Sequence, residues 1–353
     1  MTTSIAAVHG VLAPYRHRQQ AITDTIAGLC LRPGDDRRVL DRLHASTTVR
    51  TRHTVLPLEQ YARLDDFSAA NDVFTRAATD LGAQAIRGAL RAAGLRPTDV
   101  DMLMCTSVTG IATPSIDARL VTRLGLRQDV KRLPVFGLGC VAGAAGLARL
   151  HDYLRGWPDH VAVLLSVELC SLTFQRDDPS VANLVATGLF GDGAAAVVAC
   201  GSRRHPRPAA PAVVATRSRL YPDTEHAMGW EIGASGFRVV LDPAVPDIVR
   251  RHLADDVHDF LAEHGLKPKD VTAWVCHPGG PKILRTVAET LDLPEGALEL
   301  TWRHLADVGN LSSSSVLHVL RDTLALRRPP AGSPGLLLAM GPGFCSELVL
   351  LRW

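Results

Sequence analysis

Apolar and polar positions along this chain follow two rhythms. From Asn71 to Ala93 apolar residues recur at intervals of three and four, which predicts an amphipathic helix that Gly94 stops. Asp99 to Ser107, with Val100, Met102, Leu103, Met104 and Cys105, reads as a central strand. Asp117 to Leu124 reads as helix, Leu133 to Phe136 as a buried strand, Cys140 to Tyr153 as helix and Val161 to Ser166 as strand. Leu189 to Val198 is a turn feeding a strand. Residues 1 to 60 carry short helical patterns, and Gly201 to Pro211, rich in Arg, Pro and Ala, reads as a linker or exposed loop. The remainder repeats the plan, with helices at Ile248 to His264, Lys282 to Leu291 and Ser312 to Leu326. Strands are expected at Val271 to Cys276, Gly335 to Met340 and Ser346 to Leu351. Alternation of helix and buried strand makes the class α/β. Both halves close on a glycine-cornered apolar hairpin, a pattern that points to an internal duplication, with halves at residues 1–205 and 206–353.

Composition narrows the function without naming it. With 353 residues, 46% of them hydrophobic, the chain can bury a large core. Lys and Arg number 38 against 36 Asp and Glu, and aromatics are 5%, so no nucleic-acid-binding surface is expected. No apolar run reaches the roughly 18 residues of a membrane span, and the N-terminus lacks a basic region before an apolar core. A cytoplasmic protein with no stable membrane insertion is expected. Seven dispersed cysteines without a CxxC pair argue against a disulfide framework and against a zinc site.

Chemistry enters at Cys140. The apolar run to Phe136, the Gly137-Leu138-Gly139 corner and the helix that follows place this cysteine at a helix mouth. Free N–H groups and the positive end of the dipole there favour a thiolate. A buried cysteine is otherwise an inert small hydrophobe. His277 follows a strand and precedes Pro278-Gly279-Gly280-Pro281, which turns the chain into a helix and sets the imidazole at the C-terminal edge of a sheet, where open α/β sheets place ligands. Asn310, in Val308-Gly309-Asn310-Leu311-Ser312, is either an N-cap or an amide donor to a substrate oxygen. A Cys, a His and an Asn suit acyl transfer followed by carbanion chemistry. The His–Cys ion pair would supply the nucleophile, and His with Asn would hold a thioester oxygen as negative charge builds on it.

The blocks Gly137-Leu138-Gly139-Cys140-Val141-Ala142-Gly143, Gly188-Leu189-Phe190-Gly191-Asp192-Gly193, Cys276-His277-Pro278-Gly279-Gly280-Pro281-Lys282, Gly309-Asn310-Leu311-Ser312 and Gly341-Pro342-Gly343 resemble, in order and spacing, those of the type III polyketide synthases, the chalcone-synthase-like enzymes. That resemblance implies a thiolase-like five-layered αβαβα fold made of two similar halves, and a homodimer. It also implies condensation of malonyl-CoA on an acyl-CoA starter without a metal or prosthetic group; an acyl carrier protein is an alternative starter donor. By position, Cys140 would carry the acyl group, His277 and Asn310 would drive decarboxylation and condensation, and Phe190 and Phe237, otherwise ordinary core aromatics, would be gatekeepers.

The resemblance also assigns cavity and cofactor-substrate contacts. Glu168, Thr173 and Ser312 match the cyclisation network, whereas Val108 replaces its threonine hydroxyl; Thr113 falls where relatives insert a methionine across the dimer interface. Arg42 matches a basic CoA contact, with Arg50, Arg52, Gly279 and Lys282 as further candidates, although a solvated face explains scattered basic residues equally well. Arg149 to Gly156, Ser166 to Thr173 and Gly229 to Gly233 look most like relatives that take long-chain fatty acyl starters and release alkylpyrones or alkylresorcinols. Val108, Cys170 and Gly229 are small or apolar, as a buried alkyl channel requires at about 0.8 kcal/mol per CH₂. The same residues would pack a closed pocket in relatives that start from malonyl-CoA. A single-condensation β-ketoacyl carrier-protein synthase would use the same trio, but usually follows its His with Gln-Ala-Asn.

Overall fold

The computed structural model describes residues 2–176, 178–204 and 210–353, so part of the expected linker lies outside the described residues. In chain order the first half holds β1 (Thr3–Leu12), β2 (Tyr15–Arg18), α1 (Gln19–Cys30), α2 (Arg37–Ser46), β3 (Thr51–Thr54) and α3 (Phe67–Ala93). It continues with β4 (Met102–Thr106), α4 (Ile116–Leu124), β5 (Lys131–Val135), α5 (Ala142–Gly156), β6 (Val161–Leu169), α6 (Val181–Leu189) and β7 (Asp192–Cys200). The second half holds β8 (Ala212–Leu220), the hairpin β9 (Met228–Gly233) and β10 (Gly236–Leu241), α7 (Val245–Ala262) and β11 (Ala273–Cys276). It ends with α8 (Pro281–Thr290), α9 (Glu299–Val308), α10 (Ser313–Leu326), β12 (Pro334–Gly341) and β13 (Cys345–Arg352).

One hydrogen-bonded sheet runs β11-β12-β13-β8-β1-β7-β6-β4-β5. Its two parts share one pattern of antiparallel and parallel pairing. β1–β7 and β7–β6 are antiparallel and β6–β4 parallel, just as β8–β13 and β13–β12 are antiparallel and β12–β11 parallel. The parts join where Thr3 and Ser4 pair with Val213 and Ala212, and where Ile5 N donates to Pro211 O at 2.8 Å. Every residue of β6 and β7 is buried, because helices cover both faces, and their sequences are accordingly apolar without alternation. α3 covers the outer face of the first part, α5 and α10 lie between the parts, and α7 and α8 cover the second part. This is the five-layered thiolase-like arrangement of an α/β protein.

Local chemistry accounts for the element ends. Asp66 caps α3 by accepting from Ala69 N at 2.8 Å, and Gly94, at φ +65°, ends it in the left-handed region. Gly82 and Gly88 let α3 lie on the sheet, since a Cβ at either would stand 2.8 Å from a Leu165 methyl or 2.1 Å from the His9 ring.

Two expectations are corrected. The N-terminal residues are not helical at the outset: β1 is a central strand, paired with β7 and β8, in which Thr3, Ser4, Ile5 and Ala7 are buried and the rest half-buried. The Leu133–Phe136 run is not buried within the chain. β5 is the edge of the sheet, with Leu133 39% and Phe136 46% exposed. α6, α9, β8 and the β9–β10 hairpin were not marked by the apolar pattern either. Among the described residues no helix is long and apolar enough to cross a membrane, and no His, Cys, Asp and Glu group could hold a metal ion.

Candidate active site

Cys140 lies in the single 3₁₀ turn Gly139–Val141 between β5 and α5. Gly137 and Gly139 take φ of +97° and +53°, and a Cβ on Gly139 would stand 2.6 Å from Pro342 Cδ, so the corner closes on the Gly341-Pro342-Gly343 loop. One turn later, a Cβ on Gly143 would stand 2.2 Å from the Ser313 carbonyl oxygen. This close approach of α5 to α10 brings Cys140 Sγ within 3.6 Å of Ser312 Oγ, to which it donates. Ser312 itself is held at φ +48°, an uncommon conformation for a residue with a Cβ.

Asn310 enters through the segment that ends α6. Its N–H donates to Leu189 O at 2.9 Å, and its own carbonyl accepts from Gly191 N at 2.9 Å. Its Oδ1 accepts from Ser312 N at 2.8 Å, which fixes the amide orientation and leaves Nδ2 without a described protein acceptor. Asn310 is therefore not the N-cap of α10, a position held by Ser312.

His277 follows β11 and donates its N–H to Leu338 O of β12 at 2.9 Å. Gly280, at φ +137°, carries the chain into α8, and the place of its missing Cβ lies 3.6 Å from a Leu189 methyl. The His277 turn and the Asn310 loop thus meet on Leu189, and the Asn310 loop reaches Cys140 through Ser312. The His277 ring is buried with neither nitrogen hydrogen-bonded.

Electrostatics here differ from the sequence expectation. Burial pushes the Cys140 thiol up to about 12, with the Ser312 hydroxyl pulling the other way and Glu168 adding to the rise. Burial lowers His277 to about 3. Desolvation opposes the helix-mouth effect, and both shifts run toward the neutral thiol and the neutral imidazole.

The polar floor beside the cysteine is built from residues only partly foreseen. Glu168 is fully buried. Its Oε2 accepts from Ser107 Oγ (3.3 Å), Val108 N (3.1 Å) and Thr109 Oγ1 (3.1 Å), and its Oε1 from Ser313 Oγ. Val108 thus contributes its backbone, and the hydroxyls expected at that corner come from Ser107 and Thr109. Thr173 donates to Cys170 O at 2.8 Å and Ser312 accepts from Cys140, so neither is hydrogen-bonded to Glu168 among the described residues. Burial raises the Glu168 carboxyl to about 7 against those donors. Cys170 is buried with its thiol well above the ordinary range, chiefly from burial.

Phe190 is half-buried beside Asn310, whereas Phe237 is buried among Phe67 (5.4 Å between centroids, edge-on), Phe136 (6.1 Å) and Trp230 (6.1 Å). Those three aromatics, distant in sequence, were not foreseen. Gly229 in β9 faces open space. Thr113 is exposed, next to a cis bond to Pro114.

Among the proposed CoA contacts, Arg42 and Lys282 are exposed and form no ion pair among the described residues, and Gly279 N bonds back to His277 O at 2.9 Å. Arg50 is exposed and ion-paired with Asp307 at 2.5 Å. Arg52 is corrected: it is 1% exposed, donating Nη1 to Phe190 O at 2.7 Å and Nε to Gln19 Oε1 at 3.1 Å. It cannot meet a ligand phosphate from there. Burial lowers its guanidinium to about 9, with Asp192 opposing. A separate cavity of about 360 Å³, lined by Cys30, Tyr61, Ser171, Gln175 and Arg238 among others, holds none of Cys140, His277 and Asn310.

Comparison with known proteins places this geometry. The profile "Chalcone and stilbene synthases, N-terminal domain" matches residues 24–203, and its C-terminal counterpart matches 212–353. The chain is 62% identical over 352 residues to a 1,3,6,8-tetrahydroxynaphthalene synthase of Streptomyces peucetius subsp. caesius, covering 99% of this chain and 93% of that one. It is 35% identical over 326 residues to a putative chalcone synthase of Bacillus subtilis (strain 168), covering 89% of each. Among solved structures, the 1,3,6,8-tetrahydroxynaphthalene synthase of Streptomyces coelicolor A3(2) superposes with a TM-score of 0.93 at 30% identity, covering 99% of each chain. Two domain matches that together span nearly all of the sequence make this chain a member of the chalcone and stilbene synthase family, the type III polyketide synthases, which catalyse decarboxylative Claisen condensation.

Proposed function

We propose that the chain builds a poly-β-keto thioester from malonyl-CoA alone and cyclises it to a small phenol of the tetrahydroxynaphthalene kind. The observation that carries this is the 62% identity, over 99% of the chain, to a synthase named for that product. Such a naphthol, with oxygen on alternate carbons, is what two-carbon malonyl-derived units assemble. The hydroxyl-lined Glu168 floor beside Cys140 supports the same reading, since a polar wall suits a polyketone better than an alkyl tail.

In this reading Cys140 Sγ attacks the thioester carbonyl while its proton passes to His277, and CoA leaves with that proton. Both groups start neutral, so proton transfer accompanies attack. A malonyl-CoA then binds with its thioester oxygen toward His277 and the unengaged Asn310 Nδ2. Its C–CO₂ bond breaks, and the electron pair enters an enolate held by those two groups. The enolate carbon attacks the Cys140-bound acyl carbonyl, and the Cys140 sulfur leaves. Phe190 and Phe237 frame the passage, Arg42 and Lys282 receive CoA phosphates, and Gly279 keeps the approach clear. Two copies pair, covering the exposed β5 edge.

The long-chain starter expected from sequence remains as a second reading, favoured by the open space at Gly229 and by Val108 and Cys170, both buried and small or apolar. Incubation with malonyl-CoA alone, and with added acyl-CoAs of graded length, separates the two by product mass. A phenolic product from malonyl-CoA alone is expected. Turnover only when a long acyl-CoA is added would overturn the first reading in favour of the second.

A further inference from the structure

We infer that one turn of α9, presenting Thr301 and His304, is a brace that sets His277 and Asn310 relative to each other, and that His304 is a positioning residue for malonyl decarboxylation. This inference rests on the decarboxylating role proposed for that pair. His277 and Asn310 stand on separate elements, 33 residues apart by numbering, yet an enolate oxygen must meet donors from both at once. α9 touches the supports of each. Thr301 Oγ1 donates to the carbonyl of Cys276, the residue immediately before His277, at 3.3 Å. Three residues on, and so on the same face of the helix, His304 Nε2 lies 3.3 Å from Ser315 Oγ. That hydroxyl accepts from Leu311 N at 2.7 Å, inside the loop that carries Asn310 and Ser312.

The brace is buried and fixed from behind. Thr301 is 0% and His304 3% exposed. The His304 ring lies 5.5 Å from the His318 ring. His318 Nε2 meets Ala194 O at 3.0 Å, which makes Nε2 the protonated nitrogen and leaves Nδ1 to accept from Arg321 Nη1 at 3.2 Å. His318 is thereby locked as one neutral tautomer against β7. Burial, with Arg321 and His277 adding to it, likewise keeps His304 neutral, so it acts through a hydrogen bond and its shape rather than through charge. Both nitrogens of His277, by contrast, are without a hydrogen-bond partner.

The test compares His304→Leu with His304→Gln, which keeps a side-chain partner for Ser315. Two rates are read in the full-length protein: acyl loading of Cys140 by intact mass, and carbon dioxide release from malonyl-CoA. For His304→Leu, release is expected to fall about tenfold to a hundredfold, the scale of an ångström-sized misplacement, with loading within about twofold of native. His304→Gln is expected to recover most of the loss. A merely structural role would lower both rates together, track the melting temperature and show no recovery by Gln, and any of these overturns the brace, as does an unchanged release rate. Should His304→Leu fail to fold, Ser315→Ala, which acts on the Asn310 loop alone, carries the same expectation, release reduced and loading kept. A native protein that loads but releases no carbon dioxide overturns the decarboxylating role itself and the brace with it.

Discussion

Gly143→Ala adds one methyl group where α5 and α10 touch, and its consequences can be worked from the coordinates. The new Cβ would stand 2.2 Å from Ser313 O and 2.8 Å from Val316 Cγ1. Ordinary contact needs at least about 3 Å, so the first turns of the two helices must separate by about 1 Å. Overpacking of this kind costs about 1–3 kcal/mol, and the gain in helix propensity from Gly to Ala returns about 1, leaving a net loss of about 0–2 kcal/mol. The larger effect falls on chemistry. Ser313 is the neighbour of Ser312, whose hydroxyl meets Cys140 Sγ at 3.6 Å, and it donates to Glu168. A shift of about 1 Å between these groups is expected to cost about a hundredfold in turnover. Gly156→Ala, at the other end of α5 with nothing within 4 Å of its Cβ, is the matched control and should leave activity unchanged. Steady-state turnover of malonyl-CoA and denaturant unfolding are the assays. Native activity and stability in Gly143→Ala would refute the close-approach reasoning.

Asn310→Ala should lower malonyl-CoA decarboxylation by about 3 kcal/mol, since it removes the free Nδ2 donor, while Cys140 loading by intact mass is retained; equal loss of both would contradict the division of roles. Arg52→Met should cost about 2–4 kcal/mol in denaturant unfolding, because it strips the Phe190 carbonyl of a buried charged donor. A selective rise in KM for malonyl-CoA with native stability would instead restore Arg52 as a CoA contact. Glu168→Gln should flatten the pH dependence of stability. The folded carboxyl titrates near 7 against an ordinary 4.5, so it favours the fold fully below about pH 4.5, and that contribution, up to about 3 kcal/mol, is lost as pH rises through about 7. Parallel stability–pH curves for native and Gln proteins would show that Glu168 is not raised.

Much of the fold was legible where periodicity is long or glycine geometry is forced. The α3 repeat, the Gly137–Gly139 corner and the His277-Pro-Gly-Gly-Pro turn all sit where the pattern put them. β5 was misjudged because a short apolar run looks alike whether it is buried in its own core or left bare at a sheet edge. β1 is hard to read because its sequence, TSIAAVHGVL, does not alternate apolar and polar residues cleanly enough to mark a strand. Arg52 was assigned to the surface by its charge, and only its contacts with Phe190 and Gln19 reveal a buried guanidinium. The Glu168 floor joins Ser107 and Thr109 to Ser313, a convergence across the two halves that local spacing does not encode. A run of hydroxyls just past β4, and another opening α10, was the one available signal. The Cys140 and His277 shifts run toward the neutral forms because burial, which the sequence does not display, opposes the helix dipole.

The most direct measurement is intact mass of the full-length protein mixed with malonyl-CoA alone, followed through turnover, with peptide mapping of any adduct and analysis of the released product. An acyl adduct mapped to Cys140, absent in Cys140→Ala, together with carbon dioxide release and a phenolic product, is expected. An adduct that persists in Cys140→Ala, or native protein that forms neither adduct nor product from malonyl-CoA, would contradict the proposed chemistry.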